Sequence, residues 1–198
     1  MSRMFLTCYS LKNVNLSNFD TSEVTNMQSM FRDCNNLTSL DVSHFDTSQV
    51  TDMSEMFSDC STLTSLDVRN FDTEKVREMQ CMFFGCNSLT SLDVSNFDTR
   101  KVINMYGMFQ YCRSLTSLDL SSFDMRDVRQ VYWMFSSCTN LTYLDMRNAT
   151  FNARDYEDMF LLVPNGITIV VKDITAKSWI EARLSESNRT GTVTIVGV

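Results

Sequence analysis

Cysteine stands at positions 8, 34, 60, 86, 112 and 138, each step being 26 residues, with a seventh at Cys81. Sulfurs placed over one another in neighbouring turns of chain fall near the Cα separation that a disulfide accepts, so bridges between turns are one reading. The ladder cysteines also lie on the apolar side of their segments, where a free thiol serves as a small core residue, and this packing reading is favoured. Metal binding is not expected. The chain has one histidine, His44, at a position where other repeats carry Asn or Ser, and it lacks a Cys-x-x-Cys pair. His44 reads as a polar loop residue. A nucleophile needs a positioned base, and a lone imidazole with no recurring partner supplies none. No catalytic residue and no cofactor are therefore expected, and the chain does not read as an enzyme.

The carboxylates form two further columns. Asp41, Asp67, Asp93, Asp119 and Asp145 sit between two inward residues of a strand pattern, which points them outward on a sheet face at about 4.8 Å spacing. Like charges so close are costly. Two accounts compete: local hydrogen bonding to the flanking Ser39, Ser65, Ser91 and Ser117, with some carboxylate pKa values raised, or a stripe that receives cations such as Ca²⁺ or a basic partner. The second column, Asp20, Asp46, Asp72, Asp98 and Asp124, follows a recurring Phe and reads as turn capping.

Residues that break the repeat say more about a partner, because the fold does not dictate them. Positions 28, 54, 80, 106 and 132 read Gln, Ser, Gln, Tyr, Tyr, and the next column reads Ser29, Glu55, Cys81, Gly107, Trp133. Phe84, Tyr106, Tyr111, Tyr132, Trp133 and Tyr143 thus concentrate aromatic area in the later repeats, Tyr143 on the strand face. Grouped exposed Tyr and Trp are typical interface anchors; the competing account is a neighbouring loop or cap that covers them.

The elements that must position these columns follow from the same period. Leu recurs at 11, 37, 63, 89, 115 and 141, and Phe at 19, 45, 71, 97 and 123. An interval kept without insertions implies stacked turns of equal length. Within one unit, Leu89, Leu92, Val94 and Phe97 spell L-x-x-L-x-V-x-x-F, the strand pattern of a leucine-rich repeat. In "DTRKVINMYGMFQYC", Val102, Met105, Met108 with Phe109, and Cys112 recur every three or four residues, which predicts a short helix. The predicted fold is an α/β solenoid: a leucine-rich-repeat-like right-handed stack of 26-residue strand-turn-helix coils with one parallel sheet. Residues 1–148 form this stack, entered in mid-repeat. Residues 149–198 form a C-terminal α/β cap packed on the last coil, with a strand in "NGITIVVKD", a helix in "ITAKSWIEARLSES" turning Ile174, Trp179, Ile180 and Leu184 inward, and a strand in "TGTVTIVGV".

Composition narrows the function classes. Of 198 residues, 43% are hydrophobic and 21% charged, which suits a globular chain. The net charge of −7 argues against nucleic acid and against docking on an anionic membrane, since both need a basic stripe. The longest apolar run, "FLLVPNGITIVV", is broken by Pro164, Asn165 and Gly166 and is too short to insert in a bilayer. The opening "MSRMFLTCYSLKN" lacks the apolar region of a signal peptide. An apolar N-terminal face would allow self-association.

Three linked elements, "LDVSNFDT", Met-x-x-Met-Phe and "C-x-x-L-T-S-L", recur through residues 1 to about 147. This pattern resembles the BspA-like leucine-rich repeat surface proteins of bacteria, of the subtype also found in mycoplasma lipoproteins. The resemblance implies a surface-displayed or secreted interaction protein, often adhesive, without catalytic residues, and location at the cell surface rests on it alone. The expected function is non-catalytic binding of a protein or other surface macromolecule, through the aromatic patch, the acidic sheet face or both. The alternative is a structural spacer of a longer repeat array with no ligand of its own.

Overall fold

The computed structural model describes residues 1–196. Its regular elements are β1 (Ser117–Asp119), β2 (Tyr143–Met146), β3 (Ile167–Val171), α1 (Ile174–Glu186) and β4 (Gly191–Ile195). The four strands form one parallel sheet in the order β1-β2-β3-β4. Leu118, Leu144, Ile169 and Val193 stand in register across it and are all buried. The described residues thus make an α/β fold with a small parallel sheet and one helix.

N-terminal to that sheet, equivalent segments of the sequence units lie side by side in parallel. Asn26, Asp52, Glu78, Asn104, Gln130 and Asp155 form successive parallel bridges. From each bridge a ladder of backbone hydrogen bonds runs on: Met27 N–H donates to Asp52 C=O at 2.9 Å, Ser29 to Ser54 at 2.8 Å, Phe31 to Met56 at 2.9 Å and Asp33 to Ser58 at 2.8 Å. The same four steps recur from Met53, Glu55, Phe57 and Asp59 into the following unit. Peptide groups between them close local turns, as Met30 N–H does on Met27 C=O at 3.2 Å. At these four steps the donors point toward the next unit, whereas beside the bridge Thr51 N–H donates back to Thr25 C=O at 2.9 Å.

This corrects the expected strand-turn-helix unit. Among the described residues the only α-helix is α1, and the Met-x-x-Met-Phe segments are chains of turns. The physical reason is backbone handedness. Ser29 (φ 53°), Asp33 (φ 62°), Glu55 (φ 56°) and Asp59 (φ 57°) are left-handed, and so are their counterparts further along. An α-helix would consume these N–H groups internally. A left-handed residue at every fourth position instead turns alternate peptides along the stacking direction, where they tie units together. Each such non-Gly residue costs about 1–2 kcal/mol, offset by hydrogen bonds that would otherwise be unmade. The stretches from Leu40–Val42 to Leu118–Leu120 keep their alternating burial, which the buried Asp145 breaks in Leu144–Met146, and they pair as strands only at β1 and β2.

The interior is columnar. Phe5, Phe31, Phe57, Phe83, Phe109, Phe135 and Phe160 form one stack with ring centroids 5.2–5.9 Å apart. Thr47, Thr73 and Thr99 are buried, and each hydroxyl clasps an aspartate backbone in the next unit. Thr73 Oγ1 donates to Asp98 C=O at 3.0 Å and accepts from Asp98 N–H at 2.7 Å. The apolar core runs as one cluster from Leu16 to Val193.

In the C-terminal region, β3 and α1 fall where the pattern predicts them, and β4 covers Gly191–Ile195 of the predicted last strand, whose residues 197 and 198 lie outside the described residues. Asp173 caps α1 by accepting from Ala176 N–H at 2.8 Å. Ile180 and Leu184 are buried, whereas Ile174, at the helix start, is 64% exposed and not inward as expected. Trp179 stacks on Phe151 at 4.4 Å, fixing the helix against the preceding unit.

Candidate functional site

The Met-x-x-Met-Phe turns present outward side chains in columns, so any two aromatics one unit apart face each other. Tyr106 stacks on Tyr132 with centroids 4.7 Å apart and planes 2° apart. Tyr132 meets Trp133 edge-on at 5.3 Å, and Phe84 meets Tyr111 edge-on at 5.4 Å. Arg113 lies over Tyr111 at 5.3 Å. Five of the six predicted aromatics therefore gather on one surface. Tyr143 does not join them: it stands on β2, on the sheet face, 38% exposed.

Phe84, Tyr106 and Trp133 wall a cleft of about 220 Å³ with Cys81, Gln110, Arg32, Glu55 and Asp59. Trp133 leaves 42% of its surface to solvent. On the other side, Arg32 Nη1 pairs with Glu55 Oε2 at 2.5 Å, and Ser29 Oγ donates to the same oxygen at 2.8 Å. Burial, reinforced by Asp33, raises the Asp59 carboxyl above its ordinary range. Burial also pushes the Cys81 thiol up to about 11 and raises the Tyr106 phenol. A thiol so protonated is no nucleophile at neutral pH. The cleft suits an apolar or aromatic side chain with a polar edge.

Two of these aromatics stand at the left-handed positions that recur from unit to unit. Trp133 (φ 57°) and Tyr111 (φ 62°) occupy left-handed positions. The equivalent residues one unit earlier are Gly107 (φ 58°) and Gly85 (φ 68°). Bulky side chains stand here where glycine would sit without strain.

The acidic column is held by local hydrogen bonds, but not by those to the flanking serines. Asp41, Asp67, Asp93 and Asp119 are exposed, while Asp145 is only 2% exposed. Their hydrogen bonds go to the residue two positions on, not to the flanking serines. Asp41 Oδ1 accepts from Ser43 Oγ at 2.6 Å, Asp93 from Ser95 Oγ at 2.7 Å, and Asp119 from Ser121 N–H at 2.8 Å. Asp67 is held by Arg69, with Nη2 at 2.7 Å from Oδ2, and Asp145 by Arg147. Hydrogen bonds from Ser43 and Ser95 lower the Asp41 and Asp93 carboxyls, and Arg69 brings Asp67 down to about 2. Asp145 is also lowered: although burial acts to raise it, Arg147 outweighs that. The expectation of raised values is thus reversed, because donors at the i+2 position stabilise the charged form. Among the described residues no group of three or more His, Cys, Asp or Glu could hold a metal ion.

The ladder cysteines from Cys34 to Cys138 are buried free thiols. Each donates to the carbonyl of a Phe 29 residues earlier, Cys86 Sγ to Phe57 O at 3.2 Å and Cys138 Sγ to Phe109 O at 3.0 Å. Burial pushes Cys34 up to about 11 and Cys138 up to about 12. His44 Nε2 lies 2.8 Å from Leu16 O, a carbonyl contact to the preceding unit like that of Asn70 Nδ2 with Val42 O at 3.0 Å.

One feature escaped the sequence reading. A groove of about 420 Å³ is lined by Arg77, Arg100, Lys101, Arg126, Arg129 and Arg154, with Asp127 as its only carboxylate. The net charge of −7 hid it. The signal was the column Arg77, Ile103, Arg129, Arg154, visible once the last interval is allowed to shorten by one residue.

Among the described residues, the parallel sheet and single helix define an α/β protein with an aromatic cleft. A family model described as Mycoplasma protein of unknown function, DUF285, matches residues 1–67 and again 62–166, and the chain belongs to that family. No curated protein and no solved structure matches the chain.

Proposed function

We propose that this chain is a non-catalytic binding module of a bacterial surface or secreted protein, a BspA-like leucine-rich-repeat solenoid of right-handed 26-residue coils capped by residues 149–198. It docks a protein partner on the cleft walled by Phe84, Tyr106 and Trp133. The observation that carries this reading is Trp133, 42% exposed beside the Tyr106–Tyr132 stack, at a position that Ser29, Glu55, Cys81 and Gly107 fill in earlier units. The stacking of units does not ask for a large ring there, since residues as small as Ser29 and Gly107 serve it. Retaining it is explained by contact with something outside the chain, and large rigid aromatics anchor interfaces well.

The test uses Trp133→Gly with Tyr106→Ala. Glycine suits the backbone at 133, and a urea midpoint checks that loss of the Tyr106–Tyr132 stack leaves the variant folded. A partner captured from a bacterial or host surface extract by the parent should bind the variant at least tenfold more weakly. Equal binding by both, or no specific binding by either, would favour the spacer reading instead.

A further inference from the structure

Six of the chain's 17 basic residues line one open groove on an otherwise acidic protein. Their pairing is uneven. Arg100 and Arg126 are held by Asp98 and Asp124, each at 2.5 Å, and Lys101 reaches Glu74 at 3.5 Å. Arg77, Arg129 and Arg154 are exposed, and among the described residues none of them forms an ion pair, although Arg69 and Arg147 elsewhere both capture a carboxylate. Guanidinium groups without an ion pair, in a column broken only by Ile103, make a positive track along the stacking direction, and Glu78 and Asp155 line the adjoining cleft beside Arg129 and Arg154.

The groove also limits what fits it. It has no aromatic lining, with Ile103 and Val128 as its only apolar residues, so it offers no platform for nucleobases. The nearby Tyr106 and Tyr132 rings face each other at 4.7 Å, leaving no gap for a base between them. A peptide strand finds no free edge either. The N–H groups of Arg77, Ile103, Arg129 and Arg154 already donate to Thr51, Arg77, Ile103 and Arg129 carbonyls at 2.9–3.0 Å. What remains is a ligand that brings closely spaced anionic groups and asks for neither stacking nor backbone pairing.

We infer that this groove binds a linear sulfated polysaccharide, with Arg77, Arg129 and Arg154 pairing with its sulfate groups. The site is separate from the aromatic cleft, and binding there does not depend on the function proposed above. Fluorescein-labelled heparin, titrated with the full chain at about 50 mM and again at about 300 mM salt, provides the probe, because exposed ion pairs weaken with screening. The parent should bind, and less tightly at the higher salt. Arg77→Ala/Arg129→Ala/Arg154→Ala should bind at least tenfold more weakly. A charge-matched control, Arg3→Ala/Lys12→Ala/Lys172→Ala, and Tyr106→Ala/Trp133→Gly should both stay within twofold of the parent. Far-UV circular dichroism and urea midpoints check that all variants fold. The inference is overturned if the parent does not bind heparin, if the triple variant binds like the parent, or if the control loses as much. Equal or tighter binding of oligo-dT or poly-glutamate would assign the groove to nucleic acid or acidic protein and overturn it as well.

Discussion

Replacing Phe83 by alanine strikes the middle of the aromatic column. The ring is fully buried and lies 5.8 Å from both Phe57 and Phe109. Truncating a buried Phe typically costs about 3–5 kcal/mol in lost transfer energy and cavity. Two aromatic pairs, each worth about 0.5–1.5 kcal/mol beyond area, are lost together. The site cannot collapse easily, because the flanking units are held at fixed spacing by backbone ladders such as Phe57 N–H to Met82 C=O at 2.9 Å. The expected loss is therefore at the upper end, about 4–5 kcal/mol. Phe83→Leu keeps most of the volume and should lose about 1–3 kcal/mol, mainly the two pair terms. Tyr9→Ala, at an exposed ring, should stay within about 0.5 kcal/mol. Urea unfolding followed by circular dichroism gives the three values, provided the slope m is unchanged. A loss below about 1 kcal/mol for Phe83→Ala at unchanged m would refute the column.

Three other outcomes follow from the same geometry. Thr73→Val removes the hydroxyl between the Asp98 N–H and C=O and leaves both groups short of a partner, so it should cost about 1–3 kcal/mol by urea unfolding; a neutral substitution would count against the clasp. In a thiol-reagent assay at pH 8 the native protein should expose Cys8 alone, the one cysteine not buried, and all seven after denaturation; rapid native labelling of Cys60 or Cys86 would contradict the packing. Asp67 should titrate near 2 by carboxyl NMR and return toward about 4 in Arg69→Ala. With a folded pKa below the unfolded one, the stabilisation from this pair is present above about pH 4 and is lost as pH falls through about 2; an Asp67 midpoint unchanged in Arg69→Ala would be inconsistent with it.

The columns were legible because the interval is strict: Cys34, Cys60 and Cys86 need no structure to be seen as equivalent. The aromatic cleft was legible for a related reason, since Tyr106, Tyr132 and Trp133 depart from a pattern that the rest of the chain states clearly. The local conformation was not. Val102, Met105, Met108 and Cys112 recur every three or four residues both in a helix and in a chain of turns that sends one side chain inward at each step. Only backbone handedness separates the two, and Ser29, Glu55 and Trp133 are not residues that announce a left-handed φ. The acidic column misled differently, because its partners, Ser43, Arg69 and Arg147, lie two residues on in the turn and are recognised only when that turn is known. The basic groove was lost in the net charge, which sums over faces that never meet.

Equivalent side chains and peptides of successive sequence units lie over one another, tied by hydrogen bonds that cross between units. Couplings through hydrogen bonds, read by long-range HNCO NMR on the ¹⁵N,¹³C-labelled chain, test it most directly. The Phe57 amide should correlate with the Met82 carbonyl and the Phe83 amide with the Met108 carbonyl. Correlation of those amides with carbonyls four residues earlier in their own segments, as in an α-helix, would contradict it.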